Sequence, residues 1–316
     1  MTSSPALARR RVSPPPRHRV RAVAAPPRPE RARPGVVLEA CRPRQWLKNA
    51  VIVLPPAAAG ALTRPSAALA VSGAVIAFCM LASATYLVND VRDRDADRRH
   101  PRKRRRPIAA GELSPARALR IAAGLAVAGL ALCLAIRPAL AAVAICYLLL
   151  TLSYSMVWRE VVVADIVIVA AGFLVRAAAG GVAADVPLSR SFLAVTSACA
   201  LFLVAGKRYA ELRQRRTAAT RLTLGRYSPR VLRGLLLAAG VLGCVAYARW
   251  AAVRPSAGPW IELSVAPFAA WLGRYWVLVR SGDGESPEAL ILGDRTLLLL
   301  SAAWAALFAV GVYATG

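Results

Sequence analysis

Nine apolar segments recur along the chain, at about 51–62, 66–88, 118–134, 139–157, 161–180, 191–206, 231–248, 260–279 and 296–313, separated by polar or Pro/Gly-bearing connections. A bilayer-crossing helix needs about 20 predominantly apolar residues, so the longer runs predict spans outright and the shorter ones must take in flanking residues. The first segment follows Trp46 and carries Pro55 and Pro56, which predicts a kinked or broken helix there. The pattern as a whole predicts an all-α polytopic membrane protein with about nine transmembrane helices.

Composition agrees. A chain that is 57% hydrophobic and 18% charged, with a mean hydropathy of +0.49, is not an ordinary soluble enzyme. Residues 1–35 depart from this, being rich in Pro, Arg and Ala, and are expected to form a disordered basic cytoplasmic arm ahead of a membrane-embedded catalytic domain at 36–316. The arm lacks the apolar core of a cleavable signal peptide.

The formal charge of +26 is unevenly distributed. Twelve Lys/Arg precede residue 49, ten lie from Arg92 to Arg117 and nine from Lys207 to Arg233, whereas the alternate connections hold only Arg64, Arg137, Arg190, Arg249 and Arg254. This is the positive-inside pattern, and it predicts a multi-pass protein of the cell inner membrane with its N-terminus and active site cytoplasmic. The basic balance therefore reports topology and anionic ligands, and no nucleic acid is expected as a partner. The six cysteines, mostly within spans and without a CxxC pair, read as buried reduced thiols, and two histidines give zinc or haem little to bind.

Chemistry concentrates between Asn89 and Gly111, NDVRDRDADRRHPRKRRRPIAAG. Asn89, Asp90, Asp93 and Asp97 fall on neighbouring positions of one helical side if the helix continues through them. Asp residues beside Arg usually form a solvated, self-paired face. Here they end a long apolar segment, and magnesium takes oxygen ligands that it shares with substrate phosphates, so the run reads as a site for a magnesium-bound diphosphate at a membrane surface. Arg98, Arg99 and Arg102 read as topogenic. Lys103, Arg104 and Arg106 precede Pro107 and Gly111, where a turn can fold cations over a phosphate.

Asp165 and Arg176 are ionisable residues inside one span and are expected to face a cavity or a partner, although ~16 Å of helix between them argues against direct contact. Lys207 and Glu211 have the spacing of an exposed helical salt bridge.

The run NDVRDRDAD fits the NDxxDxxxD signature of the UbiA superfamily of intramembrane prenyltransferases. Further blocks resemble one branch, the decaprenyl-phosphate phosphoribosyltransferases: RPRQWLKN at 42–49, YLVNDVRD at 86–93, KRRRPIAAG at 103–111, YSMVWRE at 154–160, VADIVIVAAGFLVRAAAGGVA at 163–183 and GKRYAEL at 206–212. The resemblance implies nine spans around a central cavity open to the cytoplasm. It implies transfer of 5-phosphoribose from 5-phosphoribose 1-diphosphate to a polyprenyl phosphate, with release of diphosphate.

By motif position, Asn89 and Asp93 would hold Mg2+ on the donor, with Asp90 and Asp97 as direct or water-bridged supporters. Lys48, Lys103, Arg106, Lys207 and Arg208 would grip the donor phosphates, with Arg104 in the same basic run, and Arg176 would meet the lipid phosphate. Tyr86, Tyr154 and Asp165 would line the cavity, the tyrosines serving equally well as interface anchors. Arg159 stands where the branch usually has Lys, which keeps the charge but changes its geometry. Arg105 replaces an expected aromatic. A homo-oligomer is compatible with the chain.

The alternative is prenyl transfer from a prenyl diphosphate to an aromatic or other acceptor. Such enzymes generally carry a second Asp-rich motif, and here Asp165 is followed by Ile168 and Val169 with no DxxxD. A transporter would explain intramembrane charge but predicts internal repeats, and none is visible.

Overall fold

The computed structural model describes residues 34–158, 161–214, 228–253, 258–281 and 287–314, and among them there is no strand. Residues 1–33 of the expected basic arm at 1–35, and Arg159, lie outside the described residues, while Pro34 and Gly35 open a helix.

A short helix, α1 (Pro34–Cys41), leads into a 3-10 stretch at Pro43–Val53 and the five-residue α2 (Leu54–Ala58). Pro55 and Pro56 sit in the first turn of α2, where a missing N–H is tolerated, so the first apolar segment is broken as expected. Seven helices are long and apolar enough to cross a membrane: α3 (Pro65–Arg92), α6 (Pro115–Ile136), α7 (Pro138–Met156), α8 (Val162–Ala184), α9 (Arg190–Gln214), α10 (Pro229–Ala252) and α14 (Arg295–Tyr313). The basic run after α3 folds into α4 (Arg94–Arg99), a 3-10 turn at Lys103–Arg105 and α5 (Pro107–Ala110).

The eighth apolar segment divides into α11 (Gly258–Leu263) and the 17-residue α12 (Val265–Ser281). Pro267 accounts for the division, because its ring clashes with the carbonyl four residues back, at Leu263, where α11 ends. α13 (Pro287–Gly293) then precedes α14. Of the nine expected segments, seven are long helices among the described residues, and the first and eighth are interrupted.

One side of the bundle packs Phe78, Leu81 and Tyr147 of α3 and α7 against Ile52 and α8. The other packs Phe202, Leu236, Tyr275 and Leu297 from α9, α10, α12 and α14. The 3-10 stretch crosses α8 so closely that a Cβ at Gly180 would lie 1.8 Å from the Ile52 carbonyl oxygen. Gly180 is therefore what lets the broken segment reach the middle of the bundle and carry Lys48 and Asn49 with it.

Candidate active site

Three polar clusters sit at the helix ends and between the spans. The first begins where α3 ends. Its helix does not run on through Asp97: Asp93 forms the junction with α4 at φ −88° and ψ 5°, although its N–H still bonds the Asn89 carbonyl at 2.9 Å. The expectation that Asn89, Asp90, Asp93 and Asp97 share one continuous helical side is corrected accordingly. Asn89 and Asp93 remain on adjoining turns and are partly exposed, whereas Asp90 and Asp97 are buried. Arg106 Nη1 donates to Asp90 Oδ1 at 3.1 Å and to Asp97 Oδ2 at 2.6 Å, and Arg42 also pairs with Asp90. Arg42 lies 5.2 Å from the centre of the Tyr86 ring, so Tyr86 backs this ion cluster.

Among the described residues no group of three His, Cys, Asp or Glu side chains is arranged to hold a metal. What the end of α3 offers is one carboxylate and one amide oxygen on successive turns. That suits magnesium, which is usually held by one or two carboxylates plus substrate phosphates and keeps several waters.

The second cluster lies between α7, α8 and α9. Asp165 and Arg208 are each about 4% exposed, and Arg208 Nη2 donates to Asp165 Oδ1 at 2.6 Å. Tyr154 also donates its hydroxyl to Asp165, while Arg208 Nη1 meets Glu211 Oε2 at 2.6 Å. Glu211 therefore pairs with Arg208, three residues away, in place of the Lys207 bridge that the spacing predicted. Arg208 is held between two carboxylates, which makes it a tie between helices; the phosphate grip expected of it has no open face here.

Arg176 is buried apart from Asp165, as the helical distance required. Its Nε donates to Asn49 Oδ1 at 2.8 Å, Nη1 to the Gly172 carbonyl at 2.8 Å and Nη2 to the Tyr147 hydroxyl at 2.9 Å. It fastens the 3-10 stretch to α7 and α8.

The third cluster centres on Lys48, whose Nζ lies 2.7 Å from Glu288 Oε1 and 2.7 Å from Gln45 Oε1. Burial pushes the Glu288 carboxyl up, but the Lys48 ammonium, with help from Lys207, outweighs it and holds the group below its ordinary value. Lys48, Lys207 and Glu288 line one end of a cavity of about 170 Å3 whose other walls are apolar, among them Val51, Phe173 and Leu203. The same three apolar residues help line a second cavity of about 180 Å3, together with Cys199, Trp304 and Phe308. Two neighbouring cavities with largely apolar walls thus share Val51, Phe173 and Leu203, and one of them carries both ammonium groups.

Lys103 is half-buried and Arg104 exposed on the turn that closes over Asp97. Sequence reasoning missed Arg42, Glu288, Asn49 and Tyr147. Arg42 and Asn49 lie at the two ends of the RPRQWLKN block and were within reach; Glu288 and Tyr147 stand in no motif, and only the packing of α13 on the 3-10 stretch and of α7 on α8 brings them in.

The profile of the UbiA prenyltransferase family matches residues 51–302, and the chain belongs to that family. It is a membrane-embedded transferase. Among its relatives, the decaprenyl-phosphate phosphoribosyltransferase of Corynebacterium glutamicum is 40% identical over 291 residues, 88% of this chain and 86% of that one. The protein of the same name in Mycolicibacterium smegmatis is 39% identical over 88% of this chain and 92% of the relative, and that of Mycobacterium tuberculosis 41% identical over 85% and 92%. The fold resembles a UbiA homolog from Archaeoglobus fulgidus solved with GPP and Mg2+, with a TM-score of 0.64 at 18% identity over 87% of this chain and 98% of that one.

Proposed function

We propose that this enzyme transfers 5-phosphoribose from 5-phosphoribose 1-diphosphate to a polyprenyl phosphate of the decaprenyl class, a step suited to supplying precursors for cell-wall arabinan, with release of diphosphate at the cytoplasmic face of the cell inner membrane. The observation that carries the reading is the presence of two unlike sites. A pair of oxygen ligands beside an arginine cluster suits a soluble, highly anionic donor, and two lysines in the wall of a largely apolar cavity suit a lipid phosphate. The names of the relatives, similar along most of their length, support the same pairing.

Asn89 and Asp93 would hold Mg2+ on the donor diphosphate, where the ion would neutralise charge on the leaving group. Arg106, fixed by Asp90 and Asp97, adds positive charge on the same side. Lys48 and Lys207 meet the acceptor phosphate, a role the sequence had given to Arg176. Glu288 holds Lys48 at the cavity wall until a phosphate arrives. A phosphate monoester is already anionic near neutral pH, so the acceptor needs positioning and charge neutralisation, and no side chain has to act as a general base. Direct in-line attack on the anomeric carbon would invert it.

The test is substrate-selective kinetics with the purified enzyme. Lys207→Ala should raise the apparent KM for decaprenyl phosphate at least tenfold and change that for 5-phosphoribose 1-diphosphate by less than a factor of about three, given that a charge-assisted contact contributes ~1.5–3 kcal/mol. A defect confined to the soluble donor would overturn this placement of the substrates.

A further inference from the structure

Tyr275 of α12 is fully buried, and its hydroxyl is the one buried hydroxyl without a hydrogen-bond partner among the described residues. Trp271, stacked at 5.5 Å, and Phe202, at 5.4 Å, clamp its ring and hold the hydroxyl in place. The ring lies against Gly206, where a Cβ would come within 3.0 Å of its edge and 3.5 Å of its oxygen. Gly206 immediately precedes Lys207, and only a residue without a Cβ leaves the tyrosine room there. A buried polar group left unpaired is costly, and native structures retain few of them.

An acceptor for this hydroxyl is within electrostatic reach. α13 packs Leu290 and Ile291 against the cluster that contains Tyr275, and the Glu288 charge on the same helix acts on the Tyr275 hydroxyl. Glu288 is itself buried and engaged in a ring of three side chains. Its Oε1 lies 2.7 Å from Lys48 Nζ, its Oε2 accepts from Gln45 Nε2 at 3.4 Å, and Lys48 donates to Gln45 Oε1 at 2.7 Å. An anionic headgroup entering the cavity that Lys48, Lys207 and Glu288 line meets this carboxylate as a like charge. A carboxylate displaced from Lys48 within the protein needs another donor. Tyr275 offers one with no other partner among the described residues, and Gln45 keeps Lys48 oriented after Glu288 has left.

We infer that Glu288 is an exchangeable counter-ion with two seats: the pairing with Lys48 and Gln45, and, once a lipid phosphate takes Lys48 and Lys207, the Tyr275 hydroxyl. The inference rests on the acceptor site proposed above and adds two positioning residues to it. Tyr275 does not touch the substrate; it stabilises the arrangement in which Glu288 has withdrawn. The exchange also discriminates, because a lipid alcohol with the same chain has no charge with which to displace the carboxylate from its ion pair.

The experiment compares the parent, Tyr275→Phe, Glu288→Gln and the double variant, each purified in detergent and titrated calorimetrically with decaprenyl phosphate. Tyr275→Phe keeps the ring and removes a hydroxyl that makes no bond. It should unfold no earlier than the parent yet bind decaprenyl phosphate about tenfold more weakly, the scale of one hydrogen bond to a charged group. Glu288→Gln should bind at least as tightly as the parent, and adding Tyr275→Phe to it should cost less than about twofold, the residue expected of uncoupled sites. Infrared difference spectra should show decaprenyl phosphate shifting the tyrosine C–O stretch in the parent but not in Glu288→Gln. A Tyr275→Phe protein that unfolds early would show the hydroxyl already bonded and overturn the exchange. So would unchanged affinity in that variant, weaker binding by Glu288→Gln, or the same loss from Tyr275→Phe with and without Glu288. The coupled loss in a protein that binds decaprenyl phosphate but transfers no phosphoribose to it would uphold the exchange while refuting the proposed reaction.

Discussion

Replacing Arg208 by alanine separates a structural tie from a substrate ligand. In the folded protein its guanidinium lies 2.6 Å from Asp165 Oδ1 and 2.6 Å from Glu211 Oε2, with Asp165 and Arg208 each about 4% exposed. Breaking a buried ion pair from one side typically costs ~3–5 kcal/mol, because the remaining charge stays uncompensated. Tyr154 still donates to Asp165 and softens the loss, so the lower half of that range is expected for Arg208→Ala. Asp165→Asn leaves Arg208 paired with Glu211 and should cost less, about 1.5–3 kcal/mol. The double variant removes both charges and should fall short of the summed losses by ~0.5–3 kcal/mol, the coupling seen for residues in one network. Equilibrium unfolding in mixed dodecyl maltoside and SDS micelles, followed by tryptophan fluorescence, measures all four proteins. An Arg208→Ala protein as stable as the parent but with a raised KM for the donor would refute this reasoning and restore Arg208 as a phosphate ligand.

Three further outcomes are expected. Asn89→Ala and Asp93→Asn should each lower turnover by on the order of 10²–10³ at saturating magnesium while leaving the unfolding curve in place; near-parent rates would remove them from the donor site. Gly180→Ala puts a methyl 1.8 Å from the Ile52 carbonyl, and the forced separation of the 3-10 stretch from α8 should destabilise by at least about 1–3 kcal/mol, so an unchanged midpoint in the same micelles would contradict the close crossing. Glu288 has a folded-state pKa below its ordinary value of 4.5, so its pairing with Lys48 stabilises the protein above that value and is lost as pH falls through the depressed one. The stability gap between parent and Glu288→Gln should therefore shrink from pH 6 towards pH 3, and a constant gap would contradict it.

Hydrophobic pattern made the helical architecture legible, because apolar length answers directly to the bilayer. The adjacent prolines announced the broken first segment. The division at Leu263 was missed, since Pro267 acts on a carbonyl four residues upstream within an otherwise continuous apolar run. At the site, the acids and their basic neighbours were legible as a group but their pairings were not. Spacing along one helix offered Glu211 to Lys207, whereas Asp165 arrives from α8 and draws Arg208 into a shared network. Arg176 carried a charge that demanded a partner, and nothing in the sequence marked Asn49 and Tyr147 as neutral ones. Glu288 lies beyond any motif, and only the packing of α13 against the 3-10 stretch sets it on Lys48.

The central claim concerns which diphosphate this UbiA-family enzyme consumes. The most direct measurement offers the purified protein, with magnesium, an equimolar mixture of 5-phosphoribose 1-diphosphate and geranylgeranyl diphosphate together with decaprenyl phosphate and an aromatic acceptor, and weighs the lipid products by mass spectrometry. The account predicts decaprenyl phosphate heavier by one phosphoribosyl group and an unmodified aromatic. A prenylated aromatic with decaprenyl phosphate unchanged would contradict it.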